Sequence, residues 1–101
     1  MTHLGAMLDE LGRHQEALKW QEEDVEKTRR VEGDVSPNTL AAMNNMAATL
    51  SRMGRTDESL SRYEHVLEDE RRVLDEDHPS VLNTMNNIAT VLQIVDDLRR
   101  L

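Results

Sequence analysis

Few side chains in this 101-residue chain have types and spacings that could do chemistry. The histidines are His3, His14, His65 and His78. None pairs with another histidine or a carboxylate at a catalytic metal-ligand spacing. His78 precedes a proline and reads as a turn residue; the other three read as surface positions. The carboxylates of Glu22-Glu23-Asp24 and Glu68-Asp69-Glu70 run along helices and read mostly as a solvated face. Acid–base catalysis needs a buried pair with separated pKa values, which helix neighbours in water do not provide. The glycines Gly5, Gly12, Gly33 and Gly54 are single and scattered, so no phosphate loop is present. Without cysteine there is no disulfide, thiolate zinc site or thiol nucleophile. The expectation is a non-enzyme with no cofactor and no metal. What remains is Asn44-Asn45 and Asn86-Asn87. Asparagine is a poor helix former, yet both pairs sit mid-helix beside the apolar stripe. A carboxamide both donates and accepts, so it can satisfy a peptide backbone without reading charge.

Composition narrows the classes further. Twelve basic against twenty acidic residues give a net charge of −8, and the aromatics are one Trp and one Tyr. Such a chain lacks the basic face and stacking rings of a nucleic-acid binder. No apolar run reaches the ~18 residues of a membrane span, and the N-terminus carries no signal-peptide pattern. A cytoplasmic helical domain with no nucleic-acid or membrane partner is expected.

The elements that position these residues repeat. Shifted by 42 residues against itself, the chain matches at 19 of 59 overlapped positions. Leu11-Gly12-Arg13 falls on Met53-Gly54-Arg55, Arg29-Arg30-Val31 on Arg71-Arg72-Val73, and Met43-Asn44-Asn45 on Met85-Asn86-Asn87. Ser36-Pro37 predicts a capped helix start. Leu40, Met43, Met46, Ala47, Leu50 and Met53 give its apolar face, and Gly54 its stop. A second helix is predicted from Thr56, read as its cap. Its buried face is Ser59, Leu60, Tyr63, Val66, Leu67 and Val73, with Leu74 a further candidate. His78-Pro79 opens another, with Leu82, Met85, Ile88, Ala89, Leu92 and Val95 inward. An earlier unit supplies a short helix over 2–11 and a long one over 14–32. At Met43, Met46, Met53 and Met85 packing explains the methionines better than an adaptable binding surface. Trp20, bordering its apolar face, reads equally as packing or as a contact residue. The pattern is an all-α solenoid of antiparallel helix hairpins, about two and a half units and five helices. The units are 1–35 (partial), 36–77 and 78–101.

These motifs together (Asn-Asn-Met-Ala, Gly-Arg, Glu-Ser-Leu, Tyr-Glu, Arg-Arg-Val-Leu and Asp-His-Pro) resemble the tetratricopeptide repeat, in the long form of kinesin light chains. They look equally like the C-terminal repeats of fungal and bacterial nucleotide-binding receptor-like proteins. The usual unit is about 34 residues, and the extra length here is about two helical turns. The resemblance places Gln21 where an aromatic is usual, Asp24 at a small apolar position and Asp96 at the turn glycine. It implies a protein-interaction module whose first helices line a concave groove. That groove would carry Ala41, Asn44, Asn45, Ala48 and Ser51, then Asn83, Asn86, Asn87, Thr90 and Gln93, with Thr2, Ala6 and Asp9 from the short first helix. The family's carboxylate-clamp places read Thr2, Ala6, Asn45, Asn83 and Asn87, without a cation, so a neutral or basic peptide is the expected partner. Asn45 and Asn87 have a rival reading as internal ties between turns or helices, which Asn44 and Asn86 share to a lesser degree. Bare ends of the stack would favour self-association, and a sensor role beside a nucleotide switch in a longer protein is a third expectation. The last helix reads either as an end cap or as the edge of a longer array.

Overall fold

The computed structural model describes residues 13–101. They form four helices rather than five: α1 (His14–Glu32), α2 (Pro37–Arg52), α3 (Thr56–Val73) and α4 (Pro79–Arg99). The helix expected over 2–11, with His3, Thr2, Ala6 and Asp9, lies outside the described residues.

Local chemistry sets the helix ends. Ser36 caps α2 as its Oγ accepts from the Thr39 amide at 3.1 Å, while the Thr39 hydroxyl donates to the Gly33 carbonyl at 2.7 Å. Pro37 occupies the first turn, where its missing N–H costs nothing. Gly33 (φ 98°) and Gly54 (φ 82°) take the left-handed turns after α1 and α2, a conformation that side chains disfavour. Thr56 is not the cap expected of it. It is the first residue of α3, and the flanking Arg55 instead pairs with Glu58 at 2.6 Å. One repeat earlier Arg13 pairs with Glu16 in the same way. Asp96 replaces the turn glycine, and α4 accordingly runs unbroken to Arg99.

Each helix packs on the next, and α2 also touches α4, whereas α1 and α3 do not meet. The first helices of successive hairpins therefore lie side by side along one surface. Two clusters form the core. Leu18, Met46 and Leu50 join α1 to α2; Ala47, Tyr63 and Val91 join α2, α3 and α4. Ser59 donates to the Ala47 carbonyl at 2.7 Å, a buried tie between α2 and α3. Covered on two sides, α2 buries Thr39, Ala42 and Thr49 besides Leu40, Met46, Ala47 and Leu50. Its Met43, and Met53 just past its end, are half-buried.

The core expected of α4 is corrected. Val81, Thr84 and Val91 are buried, while Leu82, Met85 and Leu92 are 52%, 43% and 51% exposed and Ala89 is exposed. Those four occupy the positions of Leu40, Met43, Ala47 and Leu50 in α2, the helix that α3 follows and packs on. No helix follows α4 among the described residues. Val73, also expected inward, is the last residue of α3 and half exposed.

Candidate functional site

The side-by-side placement of α2 and α4 leaves a concave cavity of about 210 Å³ between them, closed at one end by the last turn of α3. Six of the expected groove residues line it: Ala41, Asn44, Asn45 and Ala48 from α2, Asn83 and Asn87 from α4. Ser80, Leu74, His78 and Glu70 complete the far wall with Pro37 and Leu40 at the rim of α2. The small methyls of Ala41 and Ala48 leave the opening clear. Ser51, Asn86, Thr90 and Gln93 do not line the cavity. The Thr90 hydroxyl turns back to the Asn86 carbonyl at 3.0 Å, and Gln93 donates to Asp97 at 2.9 Å.

The asparagine pairs tie one repeat to the next. Asn44 Nδ2 donates to Thr84 Oγ1 at 2.8 Å, and Asn87 Nδ2 donates to Asn44 Oδ1 at 3.2 Å. Of the four asparagines, Asn44 and Asn87 thus make side-chain ties between helices. A carboxamide has two N–H donors and two acceptor sites, so each side chain keeps hydrogen-bonding capacity facing the cavity. Thr84 passes the chain on: its hydroxyl donates to Glu70 Oε1 at 2.6 Å.

Glu70 corrects the expectation for the 68–70 carboxylates. Glu68 is exposed, but Asp69 is 7% and Glu70 only 2% exposed. Asp69 accepts from Arg72 at 3.4 Å and lies 3.4 Å from His65 on the outer side. Glu70 faces α4 instead. Loss of water raises its carboxyl above the ordinary range, opposed by the Thr84 hydrogen bond and by the charge of His78. His78 Nδ1 accepts from the Ser80 amide at 3.0 Å and so caps α4. The sequence did carry a signal for this pair. One repeat earlier the same two positions are Thr28 and Ala42, so both change together.

Elsewhere the polar residues are structural or exposed. Trp20 is half-buried on α1. Gln21, at the aromatic position, is buried all the same, and its Oε1 has no partner among the described residues. No group of His, Asp and Glu among the described residues could hold a metal ion. No described helix is long and apolar enough to cross a membrane.

The family model for the tetratricopeptide repeat matches the sequence twice, over residues 1–68 and 39–100. The chain belongs to the tetratricopeptide repeat family. Among solved structures it resembles a Podosopora anserina protein described as kinesin light chain with nearly identical TPR-like repeats, at a TM-score of 0.86 and 22% identity. That match covers 97% of this chain and 46% of the other, so the chain spans under half the length of that relative. No curated protein matches the chain. The fold is therefore that of the long, kinesin-light-chain-like tetratricopeptide repeat. Such repeats are non-catalytic scaffolds that mediate protein–protein interaction.

Proposed function

We propose that this tetratricopeptide repeat module holds a neutral or basic peptide segment of a partner protein in the groove between α2 and α4. The observation that carries the reading is the cavity itself: two alanines for clearance, four asparagines for backbone hydrogen bonds, and no lysine or arginine in its lining. Carboxamides answer a peptide backbone whatever its side chains. A chain of net charge −8 attracts positive segments and repels acidic ones. The test is selection of displayed random 12-residue peptides on the wild-type chain, repeated on a variant with a filled groove. Ala41→Trp fills it from an exposed position that supports no core contact. Selected peptides should lose binding to the variant while its helicity is unchanged. Undiminished binding would place recognition elsewhere and sink the reading.

A second reading, association with another copy of this chain, is favoured by the uncovered face of α4. Leu82, Met85 and Leu92 fall on one side of that helix and are each about half exposed. In α2 the equivalent Met43 lies beside Glu58, Ser61, Arg62 and His65 of α3, a helix of this same sequence, so a helix of a second copy has the shape this face takes. Light scattering across a concentration series tests it. Mass rising with concentration, and held at the monomer value by Leu82→Glu with Leu92→Glu, is the supporting result.

A further inference from the structure

We infer that Glu70, at the floor of the groove between α2 and α4, makes that cavity a pocket for one cationic side chain, a lysine or arginine of the bound segment. The inference rests on the groove reading above and adds the chemical class that the groove selects. A carboxyl group only 2% exposed is costly unless a charge or hydrogen bonds compensate it. The described ion pairs run along helix surfaces, and none of them engages Glu70. Its compensation is one hydrogen bond from Thr84 and the charge of His78. His78 cannot close on it as a hydrogen-bonded cap-and-clamp through Nδ1, because that nitrogen is held by the Ser80 amide. The acid is therefore undersupplied with positive charge, and it lines a cavity rather than a sealed core.

The dimensions suit the assignment. About 210 Å³ takes a single extended side chain, not a folded ligand. Ala41 and Ala48 leave the entrance wide, and the wall of Leu40 and Leu74 suits the methylene stem of a long cation, which buries its carbons while its head meets charge. The asparagines Asn44 and Asn87 stand beside that path, placed to hold the backbone from which the side chain descends. The repeat supplies its own control. At the preceding level the corresponding residues are Thr28 and Ala42, so neither the acid nor its hydroxyl partner stands there. The repeat itself therefore does not require an acid at the position of Glu70.

The probes are Nα-acetyl-lysine methylamide and its uncharged counterpart Nα-acetyl-norleucine methylamide, titrated into the whole chain and followed by the NMR signals of the Asn44 and Asn87 side-chain amides. The lysine probe should shift both amides and bind about tenfold more tightly than the norleucine probe, in line with a desolvated charge pair. Glu70→Gln keeps an acceptor for Thr84 and the volume of the side chain. It should reduce the ratio to near one while the norleucine probe binds as before. Equal binding of the two probes to the wild type, no response of either amide to lysine, or a lysine preference that survives Glu70→Gln would each overturn the inference. Failure of the groove reading is seen separately, as selected peptides that ignore Ala41→Trp. Peptides that respect Ala41→Trp but carry no lysine or arginine leave the groove standing and remove the cation pocket.

Discussion

Replacing Tyr63 by alanine tests whether the hairpins are joined as described. Tyr63 is 2% exposed and touches Ala47 of α2 and Val91 of α4 at once, so it holds three helices with one ring. An aromatic side chain buries about 150–250 Å², and at about 25 cal/mol per Å² its removal costs about 4–6 kcal/mol. Measured aromatic truncations in cores lie at about 3–5 kcal/mol. Against a total stability of about 5–15 kcal/mol, Tyr63→Ala should leave the chain barely folded at 25 °C. Urea unfolding followed by circular dichroism gives the loss as a shift in midpoint at constant slope. The decisive measurement is a double-mutant cycle. Tyr63→Ala and Val91→Ala share a contact and should couple by about 0.5–3 kcal/mol. Tyr63→Ala and Leu18→Ala lie in separate clusters and should add to within about 0.5 kcal/mol. Because the alanine variant is close to unfolding, Tyr63→Leu serves as the milder arm of both cycles. A cost under about 1 kcal/mol for Tyr63→Ala, or coupling with Leu18 equal to that with Val91, would refute this layered packing.

Three further outcomes follow from named atoms. The Glu70 carboxyl is raised by burial, so the folded state holds its proton more tightly than the unfolded state. Its contribution to stability is complete below the ordinary glutamate range and is lost as pH rises through the raised value. Wild type should therefore lose stability relative to Glu70→Gln as pH rises above the ordinary glutamate range, and a difference that is flat with pH contradicts the burial. Gln21→Met removes a buried oxygen without a partner at nearly constant volume, and should stabilise the chain by about 1 kcal/mol in urea melts; destabilisation would show that the amide is satisfied. Ser36→Ala removes the side-chain cap of α2 and should cost about 1 kcal/mol, whereas Thr56→Ala, whose hydroxyl is 3.5 Å from its nearest acceptor, should cost less than half as much.

The elements themselves were legible in the sequence because turn residues and apolar period agreed. Ser36-Pro37, Gly54 and His78-Pro79 bracket helices whose observed bounds follow them. Burial was less legible where it depends on what lies next door. The apolar residues of α4 keep the same spacing as those of α2, and spacing says nothing about what packs on a helix, so Leu82, Met85 and Leu92 read as core and are exposed. Polar burial failed in the opposite direction. Glu70 sits in a run of charged residues that looks solvated, and only the crossing of α3 with α4 brings Thr84 over it. The asparagine pairs stand out in the sequence as poor helix formers placed mid-helix, but sequence alone does not divide them. Asn44 and Asn87 meet across the repeat boundary because α2 and α4 lie side by side. Asn86, one residue away, does not line the cavity.

The side-by-side placement of α2 and α4 is the claim on which the groove, its asparagines and its buried acid all depend. Nuclear Overhauser contacts from the Asn44 side-chain amide test it most directly, since Thr84 Oγ1 lies 2.8 Å from Asn44 Nδ2. Cross-peaks from that amide to the Thr84 methyl and to the Asn87 side-chain amide are predicted. Their absence, with the four helices intact by chemical shift, would show hairpins that form without stacking and would contradict the account.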